Sequence, residues 1–129
     1  MDYSDYCLLL VEDDSTNAQT TSCILEGFGF EVEVAEDGEK CLQKIQQKHY
    51  DFIFMDCTMP IMDGFETTKE IRRLEIEGVI ERSPIVALTG NTREGDREKC
   101  LESGMDDYIP KPASEEALLK AVEDNLETE

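Results

Sequence analysis

Short apolar runs alternate with amphipathic segments along the chain, and this alternation restricts the fold more than any other feature. Runs of strand length lie at 7–11, 31–35, 51–56, 85–88 and 107–110. Each is followed by a longer segment that can form a helix, in most cases with apolar residues at helical spacing. Strands that alternate with helices form parallel sheets, because each right-handed crossover needs a helix to return the chain. We therefore expect an α/β fold with a five-stranded parallel sheet covered on both faces.

The fourth helical segment differs from the other four. It covers 93–103, contains Gly95 and carries very few apolar residues. Because a helix without an apolar face has little to bury, we expect this one to pack weakly on the sheet. The other helices have ordinary boundary signals, with Gly29 and Gly78 as stops and Ser114 as the cap of the last helix.

Length and charge limit the possible functions. A chain of 129 residues suffices for one compact domain with an apolar core, so we assign 1–129 to a single domain. It has 31 acidic and 12 basic residues, with a formal net charge of -19 at pH 7. Because phosphate contacts need Lys and Arg, this charge argues against direct binding of nucleic acid or of an anionic membrane. The acidic residues either serve solubility alone or include a group gathered around a metal ion.

The cysteines and the apolar runs indicate the compartment. The five cysteines are odd in number and include no CxxC pair, which is not the pattern of a zinc site or of a closed disulfide framework. We recognise no export signal at the start of the sequence and no apolar run near the length of a membrane span. We expect reduced thiols in a cytoplasmic protein.

Polar residues follow the predicted strands at the points where they end. These residues are Glu12, Asp13 and Asp14 after the first strand, Asp56 at the third, Thr89 at the fourth and Lys111 at the fifth. In a parallel sheet these ends share one edge, where ligands bind. Asp56 closes an otherwise apolar run, and an ionised carboxylate there is costly unless it reaches the open edge of the sheet.

Carboxylates gathered at one edge repel each other. Two usual remedies are shared protons and a hard divalent cation with oxygen ligands. Mg2+ fits the second, because it needs only a few carboxylates, keeps several waters and leaves room for a phosphate. A metal, an ammonium and a hydroxyl together supply the charge neutralisation that phosphoryl transfer needs, and a carboxylate can act as the nucleophile. The strand ends therefore point to phosphoryl transfer.

The motifs LLLVEDD, MDCTMPIMDG, IVALTGN and YIPKP occur in an order and spacing that resemble the response-regulator receiver domains. The resemblance covers the whole chain. It implies a flavodoxin-like, doubly wound (βα)5 fold with strand order 2-1-3-4-5, the order known from a chemotaxis receiver of this family.

The resemblance assigns a role to each polar residue at the strand ends. Asp56 corresponds to the phosphoacceptor. Glu12 and Asp13 match the family's acidic pair, with Asp13 as a direct Mg2+ ligand and Glu12 acting through water. Thr58, through its backbone carbonyl, joins Asp56 among the metal ligands. Lys111 pairs with the phosphoryl oxygens.

Three more positions follow from the resemblance. Thr89 donates its hydroxyl to a phosphoryl oxygen, and Tyr108 matches an aromatic switch residue that turns inward with it. An ordinary half-buried tyrosine in an edge strand is an equal interpretation of Tyr108. Asn91, together with Thr58, tunes hydrolysis of the phosphoryl group in the family.

Asp14 and Cys57 lie next to the predicted site residues, but we expect neither of them to belong to the site. Successive residues of a strand alternate sides, so three acids in a row cannot all face the site. We place Asp14 at the start of the first helix, where the helix dipole favours a negative charge. Cys57 should face away from Asp56, and we expect it to pack and not to react.

The function implied is that of a signalling phosphoacceptor and not of a metabolic enzyme. Such a domain takes a phosphoryl group from a phosphohistidine and catalyses its own phosphorylation and dephosphorylation. The segment from EIRRLEIEG to DDYIPKP and residue Asn17 resemble receivers of hybrid sensor histidine kinases. The expected partners are a sensor histidine kinase or a histidine-phosphotransfer domain that docks on the first helix around Ala18, and a second copy of the phosphorylated chain.

The sequence also bears on three alternative functions. A flavin site would need amide donors in the loop after the first strand, and that loop is acidic. A metal-dependent phosphohydrolase would carry a DxDxT signature, which is missing. A receiver that binds partners without being phosphorylated stays open, because intact motifs do not prove activity.

Overall fold

The computed structural model describes residues 3–57, 62–89, 96–111 and 113–125, with the backbone alone at 96 and 97. Within them the strands are β1 (Cys7–Val11), β2 (Glu31–Ala35), β3 (Phe52–Asp56), β4 (Ile85–Thr89) and β5 (Asp107–Pro110). The helices are α1 (Ser15–Gly27), α2 (Gly38–Gln47), α3 (Gly64–Ile76), α4 (Asp96–Ser103) and α5 (Glu115–Asn125). All ten predicted elements are present, with boundaries that differ by a residue or two; the start predicted for the fourth helix lies outside the described residues.

The strands form one parallel sheet in the order β2-β1-β3-β4-β5, which confirms the predicted fold class and strand order. All residues of β1, β3 and β4 are buried. Strands with helices on both faces need apolar side chains on both sides, and this explains why these segments are continuously apolar. Val11 is paired with Met55, so the residues that follow them, Glu12 and Asp56, lie at the same level at the carboxyl ends of β1 and β3.

Side-chain caps fix the starts of the helices. Asp14 accepts hydrogen bonds from the backbone N–H groups of Thr16 and Asn17, which confirms its predicted place at the start of α1. Ser114 accepts one from the N–H of Ala117 and caps α5 as predicted. Such caps satisfy donors that the first helical turn leaves unpaired.

Two apolar cores lie on opposite faces of the sheet. On one face, Leu25 of α1 and Leu118 of α5 pack with Phe54 of β3. On the other, α2, α3 and α4 cover Met55 and its neighbours, with Ile71 of α3 fully buried. The alternation of β3 residues between the cores places Asp56 on the side of α1 and α5, and Cys57 on the side of α3 and α4.

Helix α4 buries few side chains and little apolar surface. Among its described side chains, only Cys100 and Ser103 are buried, and Leu101 is 44% exposed. This agrees with the weak packing predicted from its few apolar residues.

The carboxyl end of α4 is held by Arg72 of α3. The Nε of Arg72 donates to the carbonyl of Gly104 at 2.8 Å, and its guanidinium also pairs with Glu75 and Asp106 at 2.8 Å each. Asp106 in turn accepts from the backbone N–H of Ile85 at 2.8 Å. Because these groups are largely buried, the network fixes the turn between α4 and β5 to the body of the domain.

No helix in the described part of the chain is long and apolar enough to cross a membrane.

Replacing Gly104 with alanine should destabilise the fold by about 1–3 kcal/mol. Gly104 has a φ of +108°, and an added Cβ would lie 2.7 Å from Cγ of Arg72. The matched control is Gly27→Ala, because a Cβ at that helical position would meet nothing within 4 Å beyond its chain neighbours and the backbone of its own helix. The control should be neutral or stabilising by up to about 1 kcal/mol. Urea unfolding measures both, and equal effects of the two substitutions would contradict this account.

Candidate phosphoacceptor site

Four strands deliver polar side chains to one edge of the sheet. Glu12 follows β1, Asp56 ends β3, Thr89 ends β4 and Lys111 follows β5. The backbone N–H of Lys111 donates to the carbonyl of Thr89 at 2.7 Å, which extends the β4–β5 pairing by one step. The predicted convergence of these residues is thus found at the carboxyl ends of the strands, where parallel sheets bind ligands.

An acidic cluster forms the centre of this edge. Glu12, Asp13 and Asp56 each place a carboxylate oxygen within 4.8 Å of the other two. Glu12 is 3% and Asp56 4% exposed, whereas Asp13 is exposed. Buried carboxylates so close together are costly unless a cation or a proton offsets their charge.

Lys111 supplies one positive charge to the cluster. Its Nζ lies 3.1 Å from Oε1 of Glu12 and 3.2 Å from Oδ1 of Asp56. Burial, the largest single effect, lowers the pKa of Lys111, but the two carboxylates outweigh it and the pKa is raised overall. Lys111 therefore stays protonated and bridges two strands.

One lysine does not neutralise the buried carboxylates. The pKa of Glu12 is raised to about 7. Burial is the largest cause, and the neighbouring Asp56 raises the pKa by more than Lys111 lowers it. Around neutral pH, Glu12 is therefore partly protonated. A divalent cation that takes oxygen ligands would displace this proton, because it stabilises the ionised carboxylates.

A glycine that we did not single out from the sequence brings α3 against the site. A Cβ on Gly64 would lie 2.3 Å from the carbonyl oxygen of Asp56 and 2.9 Å from Cα of Cys57. The N–H of Gly64 donates to the carbonyl of Cys57 at 3.2 Å. The pair Asp63-Gly64 at a loop-to-helix junction was the available signal, since Gly permits such close backbone approach.

The remaining predicted residues fall into three groups. Thr89 is 4% exposed, and Tyr108 is half-buried and packs against the core on the α3 and α4 face. Cys57 is 5% exposed in the same core, as expected for a packing residue. Thr58 and Asn91 lie outside the described residues.

A groove runs from this edge along α1. Its cavity of about 280 Å³ is lined by Glu12, Asn17, Thr20, Thr21, Ile24, Leu88, Lys111 and Ala113. Helix α1 contains a single charged residue, Glu26, in a chain in which 33% of residues are charged. The groove thus joins the acidic cluster to an uncharged helix surface.

Comparison with solved structures gives close matches over almost the whole chain. The receiver domain of the sensor histidine kinase PA1611 from Pseudomonas aeruginosa, solved with a magnesium ion coordinated in its active-site cleft, is 38% identical. It superposes with a TM-score of 0.83 over 93% of this chain and 96% of that one. The receiver domain of Ssk1 from Saccharomyces cerevisiae, solved with the histidine phosphotransfer protein Ypd1, is 28% identical with a TM-score of 0.86, covering 93% and 88%.

Sequence comparison points the same way. Hybrid signal transduction histidine kinase B of Dictyostelium discoideum is 42% identical over 113 residues, which cover 81% of this chain and 6% of that kinase. The chain thus spans a small part of that relative's length. The family model described as the response regulator receiver domain matches residues 8–123. Together with the strand order and the acidic edge, this match establishes that the chain belongs to the response regulator receiver family, the receiver domains of two-component and phosphorelay signalling.

Proposed function

We propose that Asp56 accepts a phosphoryl group from a phosphohistidine, and that residues 1–129 act as one receiver unit. The observation that carries this proposal is the carboxylate of Asp56, 4% exposed at the open edge of the sheet with the Lys111 ammonium 3.2 Å away. A carboxylate oxygen attacks phosphorus, the bond from phosphorus to the imidazole nitrogen breaks, and an aspartyl-phosphate forms.

Lys111 and Thr89 stabilise the transferred group. The ammonium of Lys111 already lies between two carboxylates and can pair with a phosphoryl oxygen without a large movement. Thr89 is adjacent to it through the backbone hydrogen bond and donates its hydroxyl to a second oxygen. Fixed donors of this kind stabilise charge on the transferring oxygens.

The acidic cluster suits Mg2+. Its three carboxylates are the hard oxygen ligands that Mg2+ prefers, and they stand at an open edge that leaves room for waters and a phosphate. Asp13 and Asp56 would hold the ion directly, Glu12 through water, and Thr58 through its carbonyl. When bound, Mg2+ supplies neutralising charge for the phosphoryl oxygens.

Phosphorylation then acts as a switch. The added charge at Asp56 draws Thr89 toward it, Tyr108 turns inward, and the weakly attached helix α4 changes position. Thr58 and Asn91 set how fast the domain hydrolyses its own phosphoryl group. The domain therefore catalyses its own modification and is not a metabolic enzyme.

The proposed partners are a sensor histidine kinase and a histidine-phosphotransfer domain, in the cytoplasm. One solved relative forms a complex with a histidine phosphotransfer protein, and the curated relative above is a hybrid histidine kinase. Here the uncharged α1 surface and the groove that leads to Glu12 and Lys111 would receive the helical partner. A homodimer of the phosphorylated chain is a further proposed state, and the charge of -19 disfavours nucleic acid or membrane contacts.

Incubation with acetyl phosphate should add the mass of one phosphoryl group to the wild-type chain, only when Mg2+ is present. Asp56→Asn should abolish the gain, because the amide cannot act as the nucleophile. Asp14→Asn is the matched control, since asparagine also caps helices and Asp14 lies outside the acidic cluster. Intact-mass spectrometry measures all three. Phosphorylation of Asp56→Asn at the wild-type rate would overturn the assignment, and no gain in any sample would favour a receiver that is never phosphorylated.

Without divalent cations, the free energy of unfolding should fall as pH rises from about 4.5 to about 7, because Glu12 has a pKa of about 7 when folded and 4.5 when unfolded. In this pH window Glu12 binds its proton more tightly in the folded state than in the unfolded state. Glu12→Gln removes this contribution, so its stability relative to wild type should rise by up to about 3 kcal/mol across the window.

The control for this titration is Glu116→Gln, at an exposed position of α5. Urea unfolding at a series of pH values gives the comparison. Parallel pH curves for wild type and Glu12→Gln would contradict the raised pKa of Glu12 in the folded state. Added Mg2+ should stabilise the wild type more than Glu12→Gln at pH 7.

Thr20→Glu should slow phosphoryl transfer from phosphorylated yeast Ypd1 by about tenfold, because it places a charge in the uncharged groove beside the site. Phosphorylation by acetyl phosphate, which needs no docking, should be unchanged. Gln19→Glu puts the same charge on an exposed position of α1 that does not line the groove. Equal slowing by both substitutions would argue against this docking surface.

A further inference from the structure

Strand β2 ends beside the site but adds no residue to the predicted set there. Its last residue, Ala35, accepts a hydrogen bond at its carbonyl from the backbone N–H of Glu12 at 3.0 Å. Asp37 then caps α2, because its side chain accepts from the N–H of Lys40 at 2.8 Å. The turn between β2 and α2 is thus tied to Glu12 on one side and to α2 on the other.

Gly38, the first residue of α2, is buried against the start of α3. A Cβ on Gly38 would lie 2.2 Å from Oγ1 of Thr67, and 3.1 Å from both Cγ and the carbonyl oxygen of Met62. The first of these distances is far shorter than a van der Waals contact. Only a residue without a Cβ therefore lets α2 approach α3 this closely.

The backbone of Gly38 does not itself require glycine. Its φ lies outside the left-handed region that Gly104 occupies. Inside a helix, alanine loses less conformational entropy on folding than glycine does. The demand at this position is therefore for space against Thr67 and Met62.

Thr67 is held firmly in the place that such a Cβ would enter. It is fully buried, and its hydroxyl and its backbone N–H both donate to the carbonyl of Asp63, at 2.8 and 3.0 Å. Asp63 in turn caps α3, since its side chain accepts from the N–H of Glu66 at 2.9 Å. A displacement of Thr67 therefore moves the first turn of α3.

The first turn of α3 has no spare room on the side of the site. Gly64 lies so close to β3 that a Cβ there would be 2.3 Å from the carbonyl oxygen of Asp56. The start of α3 is thus packed between α2 and the backbone of the proposed phosphoacceptor. Because residues 57–63 connect Asp56 to α3, it also fixes one end of the segment that contains Thr58.

We propose that Gly38 is a positioning residue for phosphoryl transfer. By leaving room for Thr67, it lets the start of α3 hold Asp56 and the segment after it in the geometry that binds Mg2+. Gly38 has no side chain to offer to the ion and acts through Thr67 and Met62. This inference rests on the proposed function, because Mg2+ is a proposed ligand of that site.

An NMR titration of the full chain with Mg2+ tests the positioning without any phosphodonor. Gly38→Ala should bind Mg2+ about tenfold more weakly than the wild type, the usual loss when a group that orients metal ligands is changed. Thr67→Ala should restore most of the affinity in the Gly38→Ala chain, because it removes the hydroxyl that the new Cβ meets. Thr67→Val should not restore it, because a methyl group then takes the place of the hydroxyl.

Three control variants complete the titration. Thr67→Ala and Thr67→Val alone should bind Mg2+ nearly as the wild type does, because the N–H of residue 67 still donates to Asp63. Gly104→Ala controls for lost stability. Gly104 precedes β5 and so lies at the opposite edge of the sheet from Asp56, and its substitution should leave the Mg2+ dissociation constant unchanged.

The Mg2+ dependence of phosphorylation by acetyl phosphate gives a second measurement. In Gly38→Ala the Mg2+ concentration for half-maximal rate should rise by the same factor as the dissociation constant. The rate at saturating Mg2+ should approach that of the wild type, since excess metal compensates for weak binding but not for a folding defect. A rate that Mg2+ does not recover would overturn the proposal.

The titration also separates this inference from the proposed function. If the wild type binds Mg2+ and Gly38→Ala binds it equally well, the positioning role alone is wrong. Equal weakening by Gly104→Ala, or equal recovery with Thr67→Ala and Thr67→Val, would also overturn it. If the wild type binds no Mg2+, the proposed metal site fails and this inference fails with it.

The same spectra show whether each variant is folded. If Gly38→Ala alone is unfolded, the double variant with Thr67→Ala carries the test. It must then be folded and bind Mg2+ with an affinity near that of the wild type, and a double variant that fails either condition would overturn the proposal.

Discussion

The ion pairs of Lys111 with Glu12 and Asp56 are the interaction on which the rest of the site depends. Two carboxylates that are almost fully buried meet a single ammonium, 3.1 and 3.2 Å away. Burial, together with the neighbouring Asp56, raises the pKa of Glu12 to about 7, so Glu12 holds a proton near neutral pH when no cation is bound. The excess negative charge at this edge lowers the stability of the fold. The same excess charge favours binding of a divalent cation, which in turn can bind a phosphate.

Much of this could be predicted from the sequence because the signals are local. Continuous apolar runs identify strands that are buried on both faces, and the residue after each run, such as Glu12 or Lys111, must then leave the sheet at its carboxyl end. The cap at Asp14 follows from its position before a helix. The strand order needed the resemblance to a known family, since alternation alone does not specify which strands are neighbours.

The unpredicted features depend on residues that are distant in the chain. Arg72 bonds to Gly104 and Asp106, more than 30 residues later in the chain. Nothing near Cys100 indicates that it, and not Leu101, is the side chain of α4 that enters the apolar core. These long-range contacts decide how α4 is held, with its carboxyl end fixed by Arg72 and its middle resting on one thiol. The site is thus largely a property of strand ends, whereas its coupling to α4 is a property of tertiary packing.

The central claim is that Asp56 itself receives the phosphoryl group, and chemical mapping of the label tests it most directly. Borohydride reduces an aspartyl-phosphate to homoserine, a stable mark that peptide mass spectrometry can assign to one residue. After phosphorylation with acetyl phosphate and Mg2+, the account predicts homoserine at position 56 and an unmodified Asp13. Homoserine at Asp13 or another acidic residue, with Asp56 intact, would contradict it.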